Sequence, residues 1–158
     1  DEVVDNERTI TLGGTTLHLK YVGRNHSDNS LVMHLPKDKL VFVVDFAPIQ
    51  ALFWRSMPDS WLSEWEQSLK TLAGMDWDRM IPGHPGPGGR LGTKQDVQNL
   101  LGYMADLSAE VKKAADEGKC YDNAMKDVKL PKYESWGNYA AWLPGNVERY
   151  CFLYRSGF

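Results

Sequence analysis

Four histidines, His18, His26, His34 and His84, and the acidic residue Asp45 are the side chains with the clearest metal-binding chemistry. Neutral imidazole and carboxylate are the usual nitrogen and oxygen ligands of zinc. His26 stands in the polar loop Gly23-Arg24-Asn25-His26-Ser27-Asp28-Asn29, between two runs of alternating apolar residues. Asp45 closes the apolar run Leu40-Val41-Phe42-Val43-Val44. A carboxylate at the end of a buried strand is costly unless it is paired, hydrogen-bonded or bound to a metal. The alternative is a helix or loop cap just outside the core. His84 lies within Pro82-Gly83-His84-Pro85-Gly86-Pro87-Gly88-Gly89, and no helix or ladder strand tolerates that density of Pro and Gly. All three residues therefore fall at strand ends, where loops gather reactive groups above a rigid sheet. His18 and His34 alternate with leucines and methionine inside their runs and read as ordinary strand side chains.

The elements that must position these groups are strands first and helices later. Thr9-Ile10-Thr11-Leu12, the pair Gly13-Gly14 and Thr15 to Val22 predict a β-hairpin. Ser30 to Leu35 and Leu40 to Val44 predict two more strands, the second apolar on both faces as a central strand would be. Trp61, Leu62, Trp65, Leu69 and Leu72 fall on one helical stripe, with Ser60 as N-cap. Arg79-Met80-Ile81 reads as a short strand. Thr93-Lys94-Gln95-Asp96 has the form of a capping box, and Val97, Leu100, Leu101, Met104, Leu107 and Val111 follow as an amphipathic face that ends at Gly118. A shorter helix is expected around Asn123 to Val128, then two helical pieces divided at Pro144-Gly145. Phe46, Phe53 and Trp54 read as core or interface rather than as the lining of a pocket.

The 158 residues carry 18 Lys and Arg against 21 Asp and Glu, and 42% are hydrophobic. That is one domain's worth of ordinary globular chain, read as a single domain over residues 1–158. No basic stripe is present to neutralise phosphates, which argues against nucleic acid. No apolar run approaches the roughly 20 residues that span a bilayer, which argues against membrane insertion and leaves a soluble periplasmic or cytoplasmic protein. Cys120 and Cys151 lack CxxC spacing, and one disulfide or two free thiols are both open.

The ordered set Gly23 to Pro36, Leu40 to Asp45 and Arg79 to His84 resembles the metallo-β-lactamase superfamily, in the manner of its SoxH-like and quinoprotein-relay groups. The segment from Asp96 to Tyr154 is similar to the helical C-terminus of that group. The resemblance implies an α/β (α+β) architecture, the C-terminal βα half of an αβ/βα sandwich, with a mixed or antiparallel sheet and helices on one face. It implies that His26, Asp45 and His84 are metal ligands, Asp45 bridging two ions, and that Asp28 supports His26 from behind. Zinc is the implied metal, up to two ions, with iron or manganese as alternatives. A metal-bound hydroxide would then act on an ester, thioester or lactam-type bond of a small-molecule substrate.

The superfamily's H-x-H-x-D-H motif does not occur in this sequence. The expectation is therefore a C-terminal portion whose N-terminal metal-motif half lies elsewhere and which is inactive alone. A lone half would expose apolar residues such as Val41, Phe42, Val43 or Val44 to a partner, either the missing half or a second copy of the chain. Two other readings remain at this stage. One is a non-catalytic assembly domain that pairs through the open sheet face. The other is a carrier of a single ion at His26, Asp45 and His84 with water completing the shell.

Overall fold

A computed structural model describes residues 3–120 and 123–157. The alternating runs form five strands, β1 (Glu7–Leu12), β2 (Thr15–Tyr21), β3 (Leu31–Leu35), β4 (Leu40–Val43) and β5 (Arg79–Pro82). They lie in the order β1-β2-β3-β4-β5. The first three pairings are antiparallel and β4–β5 is parallel, so the sheet is mixed. Gly13 and Gly14 turn the β1–β2 hairpin with φ of 57° and 82°. Two successive positive φ values define the turn that matches strand twist, and glycine adopts them without strain.

The helices are α1 (Leu62–Gly74), α2 (Lys94–Asp116), α3 (Ala124–Asp127) and α4 (Tyr139–Ser156). The described residues fall into two compact units. One holds the residues up to Ile49 with Ser60–Leu100, and the other holds Gln50–Asp59 with the residues from Leu101 onward. Among the described residues, no helix is long and apolar enough to cross a membrane.

In the first unit, register decides which strand residues are covered. Val32 pairs with Val43, and Val41 with Met80. All four share a face and are fully buried. Leu19, Met33, Phe42 and Ile81 share the opposite face, and none of them is buried. Ile10 and Leu12 continue that face at the hairpin, 42% and 81% exposed. The sequence expectation needs correction here. Val41 and Val43 are core, and the open face carries Phe42 instead. An apolar run is silent on this choice, because both alternations are equally hydrophobic.

The stripe on α1 is buried at Leu62, Trp65, Leu69 and Leu72, as its spacing predicts. Its N-cap is Trp61 rather than Ser60, with no side-chain hydrogen bond. The capping box before α2 forms fully. The Thr93 N–H donates to Asp96 Oδ2 at 2.8 Å, and the Asp96 N–H donates to Thr93 Oγ1 at 3.4 Å. Arg90 adds two bonds to the Asp96 carboxylate at 2.8 and 2.6 Å. Burial alone would raise the Asp96 carboxyl, but the Arg90 and Thr93 hydrogen bonds outweigh it and hold it below the usual range. A carboxyl depressed in the folded state contributes stability above its unfolded value, about 3.9, and loses it as pH falls through the folded value. Asp96→Asn should therefore cost about 2 kcal/mol at pH 7 and flatten the loss of stability below about pH 4. Urea melts of both proteins across that range check it.

In the second unit, α2 ends at Gly118, whose φ of 74° lets Lys119 N–H reach back to the Ala114 carbonyl at 2.8 Å. The expected break at Pro144-Gly145 does not occur. Pro144 lies inside the continuous helix α4. Neighbouring Asn146 anchors the helix, donating from Nδ2 to the Phe53 and Arg55 carbonyls at 2.9 and 2.6 Å. Its Oδ1 accepts from the Tyr103 hydroxyl at 2.9 Å. Backbone of Arg55 lies where a side chain on Gly145 would project, 2.7 Å from such a Cβ, so glycine is required there. Phe53 is buried, whereas Trp54 is 46% exposed with the Arg55 guanidinium over its ring. Cys120 and Cys151 form a disulfide.

Candidate metal-binding site

β4 and β5 run parallel, so their C-terminal ends emerge side by side. The Gly83 N–H extends the pairing by one bond to the Val43 carbonyl, at 2.9 Å. Asp45 and His84 follow at equivalent positions past the two strand ends. His84 Nε2 lies 3.0 Å from Asp45 Oδ1. No side chain fits between them at position 83, where a Cβ would stand 2.5 Å from Asp45 Oδ1. The glycine of the Pro/Gly loop is thus a steric condition for bringing this carboxylate and imidazole together.

Asp45 has a φ of 60°. The following Phe46 N–H reaches back to the Val44 carbonyl at 2.7 Å, closing a tight reversal centred on Asp45. A non-glycine residue in this region is uncommon, and such conformations gather at functional sites. The reversal turns the carboxylate out of the strand. Its side chain is 33% exposed, so desolvation is partial.

His26 arrives from the loop before β3, whose first residues pair with the end of β4. Its Nε2 lies 3.9 Å from Asp45 Oδ2. Thus each oxygen of one carboxylate faces a different imidazole. The loop itself is pinned from within. Buried Asn25 donates from Nδ2 to the Gly23 carbonyl at 3.0 Å and to Ser68 Oγ at 3.3 Å, and its own carbonyl accepts from Trp61 N–H at 3.0 Å. Asn25 Oδ1 is buried with no hydrogen-bond partner among the described residues. That costs about 1–3 kcal/mol, which the other bonds of Asn25 offset. Arg24 clasps Glu64 through its side chain, with Nε at 2.9 Å, and the pairing raises the guanidinium and lowers the carboxyl.

Asp28 is exposed, and its charge is felt at Arg24. Among the described residues it makes no hydrogen bond to His26. His18 and His34 are direct cross-strand partners, with ring centroids 6.1 Å apart, remote in register from the strand ends. His34 Nε2 lies 2.9 Å from the Asp76 backbone oxygen, which is the satisfied strand histidine its alternation suggested.

Two imidazoles and a carboxylate suit zinc chemically. They do not close into one cage, because each imidazole takes its own oxygen of Asp45. Among the described residues, no group of three or more His, Cys, Asp or Glu side chains is arranged to hold a metal ion. The geometry therefore offers one imidazole and one carboxylate oxygen on either side of Asp45. Sequence reasoning found these three residues and missed Asn25, Trp65 and Ser68 behind them. One signal was present: Ser68 is a polar residue on the buried side of a helix otherwise packed by Leu and Trp.

No protein-family profile matches the chain. Among curated proteins, 75 residues are 24% identical to the 2,4-dinitroanisole O-demethylase subunit alpha of Nocardioides sp. (strain JS1661), covering 48% of this chain and 23% of that protein. Among solved structures, the sec-alkylsulfatase Pisa1 from Pseudomonas sp. superimposes with a TM-score of 0.64 at 16% identity, over 99% of this chain and 26% of that one. A double mutant of the same sulfatase gives 0.72 over the same shares. A metallo-β-lactamase from Pontibacter korlensis gives 0.54 at 20% identity, over 65% of this chain and 47% of that one. The fold is therefore that of the metallo-β-lactamases, and the chain spans 23% to 47% of the length of these proteins.

Proposed function

We propose that this chain supplies the C-terminal share of a metal-dependent hydrolase, with Asp45 between two zinc ions and His26 and His84 on opposite sides of it. The observation that carries this reading is the pair of distances from one carboxylate, 3.0 Å from Oδ1 to His84 and 3.9 Å from Oδ2 to His26. Zinc in such a place supplies Lewis acidity toward an ester, thioester, sulfate ester or lactam and makes a water more acidic. The chain's own part is to hold and orient. Asp45 presents both oxygens, Gly83 leaves room for the close approach, and the Asn25 loop sets His26. Structural zinc takes four protein ligands and catalytic zinc usually three, so further ligands must come from outside this set.

The open face of Leu19, Met33, Phe42 and Ile81 supports the same reading. A contiguous apolar sheet face is covered in a stable protein, and a complementary N-terminal half would cover it. A second reading rests on that face alone: an assembly domain that pairs with its own copy and binds no metal.

Metal content of the intact gene product separates the two readings. Zinc should co-purify with the wild type and drop on His84→Ala, with metal-dependent ester hydrolysis falling in parallel. A wild type without metal-dependent hydrolysis, sedimenting as a dimer, would establish the assembly reading instead.

A further inference from the structure

Trp65 belongs to the stripe that packs α1, yet its indole makes contacts that another apolar residue would not. Its Nε1–H donates to the Phe46 carbonyl at 2.7 Å, within the core. Its ring lies 6.0 Å from the His26 imidazole, centroid to centroid, tilted by 56°. One side chain thus touches the residue after Asp45 and the histidine that faces Asp45. We propose that Trp65 is a positioning residue that sets His26 against Asp45. The proposal rests on the metal reading above for its consequence, not for its geometry.

A reversal at φ 60° persists only where its surroundings over-determine it. The Phe46 N–H is used to close that reversal, and the Phe46 carbonyl is buried. Without the indole N–H, that carbonyl loses its donor and the reversal loses its outer brace. The His26 side is braced from the same helix. One turn beyond Trp65, Ser68 Oγ donates to the Val22 carbonyl at 2.8 Å and accepts from Asn25 Nδ2. One turn before it, the Trp61 N–H donates to the Asn25 carbonyl. Residues 61, 65 and 68 fall on one side of a helix. That side holds the His26 loop and the Asp45 reversal in a single rigid element, so their separation is fixed by helix geometry.

Trp65→Phe keeps an aromatic ring and removes the N–H. Leu69→Ala serves as the control, since Leu69 is fully buried on the same helix and has no part in the site. Two measurements are made on the intact gene product: zinc affinity by chelator competition, and hydrogen exchange of the metal-free protein. Trp65→Phe should weaken zinc by about tenfold or more. It should also lower protection of the Phe46 amide by about tenfold relative to the Gly83 amide, which pairs with β4. Leu69→Ala should lower the melting temperature more while leaving zinc affinity and that ratio unchanged. An unchanged ratio in Trp65→Phe, or an equal loss of zinc affinity in Leu69→Ala, overturns the proposal. A wild type that takes up no zinc defeats the hydrolase reading alone, and the exchange ratio then decides the role of Trp65.

Discussion

Asp45→Gly should lower the zinc affinity of the intact gene product by at least about a hundredfold and leave its thermal stability unchanged or slightly raised. The two effects come from different properties of one residue. As a ligand, Asp45 faces both imidazoles, one with each oxygen. Removing a partner that merely orients a ligand costs 10–100-fold in affinity, and removing the carboxylate that serves both sides costs more. As a backbone position, Asp45 sits at φ 60°, where a Cβ is unfavourable by about 1 kcal/mol and glycine is at ease. The ion pair lost with the side chain is mostly solvated, since the His84 side chain is 82% exposed. Such pairs contribute at most about 1 kcal/mol. The stability terms cancel, and the binding term has nothing to offset it. Chelator competition and a thermal melt on the same preparation check both halves. A large fall in melting temperature with retained zinc would mean that Asp45 is a structural cap, the alternative that the sequence left open.

Removing the Cys120–Cys151 disulfide as the double variant Cys120→Ala, Cys151→Ala should destabilise the second unit by about 3.5 kcal/mol. The bond joins positions 31 apart in sequence, linking the segment after α2 to the middle of α4. Closing a loop of that length removes about that much conformational freedom from the unfolded chain, in the entropy account of disulfides. Both cysteines are also buried, so the alanines leave a small unfilled volume. Denaturant melts with and without reductant measure the difference, and thiol titration of the unreduced protein should find no free cysteine. Two reactive thiols in the native protein, with a reductant-insensitive melt, would contradict the prediction. A bond of this kind persists in an oxidising compartment, so the same titration on protein taken from its native source reports where the chain folds.

Local chemistry by itself determined much of this protein. Alternation wrote the strands, Gly13-Gly14 wrote the hairpin turn, and Thr93 with Asp96 wrote the start of α2. These depend on sterics and hydrogen bonds within a few residues, which the order of side chains specifies directly. The candidate ligands were legible for the same reason. His26, Asp45 and His84 mark the ends of predicted strands, and ends are local features. What the tertiary structure decided spans long separations. Register chose Val41 and Val43 over Phe42 for the core, although the run is apolar throughout. Asn146 held α4 continuous through Pro144 by reaching Phe53 and Arg55, about ninety positions away. The disulfide and the brace from Trp65 to Phe46 likewise join residues that nothing in their own neighbourhoods connects. Composition and periodicity carry no information on such pairings, because their energy depends on which surfaces meet after the chain has closed its long loops.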